Sequence, residues 1–146
     1  MKRLLASLTL AAFGALAQTS HAAAQKVVDE IKAAHPDITS LELAAQTPAG
    51  CQTIAATEAK EVGDKCDNDE LTAWKTKRPF VEQEKDEFDA TMPVHDSGGK
   101  VIATAGMDFK VEAGRTTESV TRDAQKIVAE LERRIAADPA ILGPAR

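Results

Sequence analysis

Residues 88–109 read FDATMPVHDSGGKVIATAGMDF, and this stretch decides the fold. Phe88 to His95 is extended, with Pro93 asking for a bulge or an edge position because it has no N–H for a ladder. Asp96-Ser97-Gly98-Gly99 is a hairpin turn, since glycine reaches the positive φ values such turns need. Lys100 to Phe109 alternates: Val101, Ala103, Ala105 and Met107 form a small apolar face. Ile102, Thr104, Gly106 and Asp108 form a mixed one. The same period of two puts Thr91, Pro93 and His95 on one side of their strand and Met92 and Val94 on the other.

C-terminal to the hairpin, Val120, Ala124, Ile127, Val128, Leu131 and Ile135 make the stripe of an amphipathic helix. Glu118 lies in its first turn and Arg133 and Arg134 near its end, each complementing the helix dipole. Asp138-Pro139 closes it.

N-terminal to the hairpin, Phe80 to Glu82 is a short strand, and Glu82 to Glu87 (EQEKDE) is a solvated charged segment. Asp67-Asn68-Asp69-Glu70 supplies a cap and first-turn acids for a short helix over 68–76 carrying Leu71, Ala73 and Trp74. Lys77-Arg78-Pro79 ends it. Residues 39–45 and 51–57 are strands joined at Thr47-Pro48-Ala49-Gly50. Val27, Val28, Ile31 and Ala34 mark a helix over 25–34 that His35-Pro36 stops. The order predicts an α+β fold: a five-stranded antiparallel sheet, N- and C-terminal helices, and a helical crossing segment. Such sheets commonly carry their helices on one face.

The first residues have the layout of a cleavable export signal. Lys2 and Arg3 precede Leu4–Ala17, 14 residues without charge, and Gln18–Ala24 ends in small residues. The run is shorter than the roughly 20 residues of a membrane span. Cleavage is expected near Ala22–Ala24, leaving one domain over 25–146 with its core at about 25–137, working in the periplasm. An organic cofactor loaded in the cytoplasm is not expected. Residues 1–24 hold two of the 18 basic side chains and no acid, so residues 25–146 carry 16 basic and 23 acidic groups, a net −7. That balance argues against nucleic acid and anionic lipid as partners. Cys51 and Cys66 are an even pair in an oxidising compartment, which favours a disulfide over two buried thiols. Metal binding lacks histidines at ligand spacing, and there is no C-x-x-C for redox chemistry.

Several segments together resemble a single Cache domain, the extracytoplasmic relative of PAS sensor domains. They are Gly50–Thr57 (GCQTIAAT), Val62–Cys66 (VGDKC), Lys77–Phe80 (KRPF), Thr91–Asp96 (TMPVHD), Gly99–Ile102 (GKVI) and Gly106–Phe109 (GMDF). Their order carries the resemblance, which covers about 25–137; Ala103 stands where a glycine is common. The resemblance implies a pocket between the sheet and the crossing segment for a small carboxylate or amino acid. Most relatives sit in membrane receptors, so a membrane signalling protein is an expected partner for a chain with no spanning segment of its own.

Within that frame Trp74 could wall the pocket and Arg78 could hold a carboxylate in two bonds. Thr91 lies on the same strand face as Pro93. Asp108 is the family's G-x-D acid, which in some Cache domains meets a ligand amine. Against each stands a plainer reading: a packed Trp74, an exposed helix-end Arg78, and a strand-end Asp108 paired structurally. No G-x-S-x-G, H-E-x-x-H or Ser-His-Asp set appears, so the chain reads as a non-enzyme. The competing function is an interaction module without a small ligand, homodimeric through Val27, Val28 and Ile31.

Overall fold

The computed structural model describes residues 21–143. Helix α1 (Ala22–Ala34) leads into strands β1 (Ile38–Thr47) and β2 (Gly50–Ala56). A single 3-10 turn at Ala59–Glu61 precedes helix α2 (Asn68–Thr76). Strands β3 (Phe80–Gln83), β4 (Glu87–His95) and β5 (Val101–Lys110) follow, then helix α3 (Thr117–Ala137) and a closing 3-10 turn at Pro139–Leu142. The α+β class and the five-stranded antiparallel sheet are as expected. Half of the expected element ends move outward by one to three residues, helix α2 keeps its span, and β2 and β5 each shift by one residue. The export signal falls largely on residues outside those described. Ala22–Ala24, read as its end, form the first turn of α1, with Ala24 fully buried.

The sheet order is β2-β1-β5-β4-β3. Two hairpins meet: β1–β2, and the β3-β4-β5 meander whose last strand pairs with β1. The central strand β5 is therefore paired along both edges, with β1 and with β4. The turn before it works as expected: Gly99 has φ +82°, and Asp96 Oδ1 accepts from Gly98 N and Lys100 N, both at 2.9 Å.

Helices α1 and α3 cover one face. Leu41, Leu43, Met92, Ala103, Met107 and Phe109 point there, against Val28 and Ile31 of α1 and Ile127 and Leu131 of α3. The stripe Val27, Val28 and Ile31, expected at a dimer interface, is consumed by this core at 7%, 0% and 0% exposure. Arg115 pins the start of α3: it donates to Asp37 (2.9 Å) and Asp123 (3.2 Å) and stacks over Phe109.

Helix α2 takes the opposite face, against β4 and β5. The sheet is thus covered on both sides, where helices on one face were expected. Among the described residues no helix is long and apolar enough to cross a membrane.

Candidate functional site

The face under α2 is set by strand register. Three rows cross β1, β5 and β4: Ser40, Asp108 and Asp89; Glu42, Gly106 and Thr91; Ala44, Thr104 and Pro93. β3 extends the first two rows, with Glu82 beside Asp89 and Phe80 beside Thr91. This is a polar, acidic face where a second apolar layer would be ordinary. Small residues leave room for the carboxylates, and Gly106 shows how. A Cβ built there would lie 2.5 Å from Glu42 Oε1 and 2.8 Å from its Cγ, so the Glu42 side chain rests directly on the glycine.

Helix α2 adds Glu70 from above. Asp67 caps the helix, accepting from Asp69 N and Glu70 N, while Glu70 Oε2 accepts from Asp67 N at 2.9 Å. That reciprocal box fixes the Glu70 side chain and turns its other oxygen toward the sheet. Glu70 is 4% exposed and Thr104 0%. Glu70 Oε1 and Thr104 Oγ1 are buried with no hydrogen-bond partner among the described residues. They are close enough for the hydroxyl to favour the carboxylate slightly, without hydrogen-bond geometry.

These carboxyl groups bind protons more tightly than free ones. Burial, then the neighbouring Glu70, pushes Glu42 up to about 7. Burial, then Asp108, pushes Asp89 up to about 6. Glu70 is raised by burial, opposed by the Asp67 N–H. No lysine or arginine is among the groups that shift these three acids. Asp108 accepts from Ser40 Oγ at 2.6 Å. At the α2 N-terminus the carboxylates of Asp69, Glu82 and Asp89 converge to within 4.8 Å of one another, a set that could take a cation.

Of the four expected ligand residues, Thr91 and Asp108 meet on this face. Trp74 is half-buried on α2. Arg78 is exposed after the left-handed Lys77 and makes no hydrogen bond or ion pair with another described residue. Asp108 combines both of its readings, on the face yet paired with Ser40. His95 leaves Thr91's side: the register shifts between Val94 and His95, and its ring meets Glu132 of α3 at 3.2 Å. Glu42, Glu70, Asp89 and Thr104 were not singled out from the sequence. The parity of Asp108 along β5 points to Thr104, and that of Thr91 along β4 to Asp89.

Two concavities lie elsewhere. A cleft of about 1090 Å³ runs between α1 and the β1–β2 turn. Several of its polar groups are matched, Gln25 with Asp29 and the Ala56 backbone and Lys26 with Glu30, while His21 Nδ1 on its wall is buried without a partner among the described residues. A second, of about 600 Å³, lies by the C-terminal end of α3 and includes the His95–Glu132 pair. The unsatisfied carboxylate chemistry is under α2. The expected disulfide is present at the rim of this region, Cys51–Cys66 with Cα atoms 5.4 Å apart.

No family model and no curated protein matches the chain. Solved structures do resemble it. One is the type II free methionine-R-sulfoxide reductase of Thermoplasma acidophilum: TM-score 0.55, 15% identity, 86% of this chain and 94% of that one. The fRMsr of Staphylococcus aureus in complex with substrate gives TM-score 0.57 and 13% identity over 83% and 94%. A Burkholderia vietnamiensis protein described as a GAF sensor gives TM-score 0.53 and 14% identity over 90% and 98%. The fold is therefore PAS/GAF-like, with GAF-like neighbours; the finer Cache assignment is not what these neighbours support. The expectation of a non-enzyme is corrected. Reductases stand among the neighbours, so a missing hydrolase or triad motif does not exclude catalysis on this fold.

Proposed function

We propose that this chain is a sensor-type small-molecule-binding module working outside the inner membrane, with its ligand site on the sheet face under α2. The observation that carries the reading is the pair of buried, unpartnered polar atoms on that face, Glu70 Oε1 and Thr104 Oγ1. A native fold keeps such groups rarely, and a bound partner is one physical reason to keep them. The half-buried Glu42, Asp89 and Asp108 leave the face open to solvent at its edges. Of the two ligand classes expected, a bare carboxylate meets only like charge here, with Arg78 outside. An amino acid brings an ammonium group that these acids can hold. The signal-like residues 1–24 and the Cys51–Cys66 bridge support an oxidising location. Output then falls to a separate partner, such as a membrane signalling protein.

A thermal-shift screen of the oxidised protein against amino acids, amines, organic acids and purines tests this. A ligand at 100 times its Kd adds about 2.7 kcal/mol. The expected hit is lost in Gly106→Ala, which displaces Glu42, and weakened in Asp108→Asn. A hit indifferent to both substitutions would place binding elsewhere and sink the reading.

A further inference from the structure

We propose that the anchor of the site is a cation hole for a protonated amine, built by Glu70 Oε1, Thr104 Oγ1 and the Glu42 carboxylate over Gly106. This rests on the reading of the α2 face as the ligand site, and it names the chemical group that site selects.

The three groups have complementary needs. Glu70 Oε1 is a carboxylate oxygen of a residue held by the capping box and 4% exposed; the Thr104 hydroxyl lies near the carboxylate, but Oε1 accepts no hydrogen bond from a described residue. Thr104 is 0% exposed and its Oγ1 has lone pairs unused. Glu42 lies on Gly106, two residues along β5 from Thr104 and across from it on β1, and Glu70 is the strongest charge acting on it. A primary ammonium has three N–H donors and no acceptor, which matches two carboxylates and one hydroxyl oxygen. An anion would face only acids. A neutral amide would satisfy hydrogen bonds yet leave the charges uncompensated. A metal ion is better served elsewhere: among the described residues the set of three carboxylates converging to within 4.8 Å is Asp69, Glu82 and Asp89, not Glu42 and Glu70.

Proton linkage follows. The acidic groups facing Glu42 are Glu61, Asp67, Glu70 and Asp108, and no base is among them. A cation entering the hole favours the ionised form, so binding expels a proton. An alkylamine stays charged up to about pH 10, so its affinity rises between pH 6 and pH 8 through the protein alone.

The experiment titrates the oxidised full chain with a matched four-carbon series: butylamine, 4-aminobutyrate, butyrate and butanol, with CaCl2 and MgCl2 as separate arms. Butylamine and 4-aminobutyrate should bind, with proton release in buffers of different ionisation enthalpy. Glu70→Gln and Thr104→Val should each weaken butylamine about tenfold or more. Glu70→Gln keeps the bond from the Asp67 N–H, so its helix should persist; Thr104→Val gives the same readout should it not. Butyrate or butanol binding as tightly as butylamine, and still depending on Glu70, overturns the amine while the site stands. Calcium or magnesium stabilisation lost in Glu70→Gln does the same in favour of a metal. Amine binding indifferent to both variants overturns the site as well. No amine binding at tens of millimolar, with a screen hit still sensitive to Gly106→Ala, overturns the amine alone.

Discussion

Glu42 concentrates the chemistry of this protein in one residue. In sequence it is an unremarkable acid within a strand, and nothing local marks it. Its properties come from Gly106 beneath it and Glu70 near it, both distant in the chain. Because its folded value is raised from 4.5 to about 7, its contribution to stability is full below about pH 4.5. It is lost as pH rises through 7, since the unfolded chain releases its proton first. Asp89, raised from 3.8 to about 6, acts in the same direction. Glu30 and Glu130, which are lowered, act oppositely but only in more acidic solution, and His21, lowered by burial, works against the trend near its own range. The unliganded protein should therefore melt at lower temperature at pH 8 than at pH 5. Glu42→Gln should flatten that slope and be more stable at pH 8 by about 1–2 kcal/mol. Equal slopes in wild type and variant would show that Glu42 does not carry the effect.

At the scale of an element, α2 is the telling one. Its span was legible to the residue, because Asp67 caps, Glu70 returns the bond and Lys77-Arg78-Pro79 stops the turn. Its placement was not. A nine-residue helix with Leu71 exposed and only Ala73 and Glu70 fully buried has little apolar surface to say which face it covers. The cap should therefore matter more here than in α3. Asp67→Ala should cost about 1 kcal/mol and speed amide hydrogen exchange through α2, leaving α3 protected. Unchanged exchange in α2 would mean that contact with the sheet, not the cap, holds it.

For the whole molecule, the disulfide joins edge strand β2 to the segment before α2, and a backbone ladder follows the same path. Cys66 N donates to Cys51 O (3.1 Å), Thr53 N to Asp64 O (2.9 Å) and Gly63 N to Thr53 O (2.8 Å). The Cys51→Ser, Cys66→Ser double variant should keep the fold and lose about 3 kcal/mol in the chain-entropy model. A urea titration reads this as a lower midpoint, with an m-value that does not fall because the unlinked denatured chain is more expanded. An unshifted midpoint would mean that the ladder closes the loop alone.

The sequence by itself determined which segments are helix and strand, the hairpin at 88–109, the stripes of α1 and α3, and the polar parity of β5. Each is a local matter of period, cap or turn, decided within a few residues. Thr91 and Asp108 were reachable because both sit in that hairpin. Only the tertiary structure decided that β5 lies between β1 and β4, which sets Glu42 and Ser40 beside Gly106 and Asp108. It also turned the α1 stripe inward and left Arg78 in solvent. Those outcomes depend on register and packing between segments far apart in the chain. The acidity of the α2 face is likewise a property of the assembled sheet, because burial and mutual repulsion act only once the carboxylates are brought together.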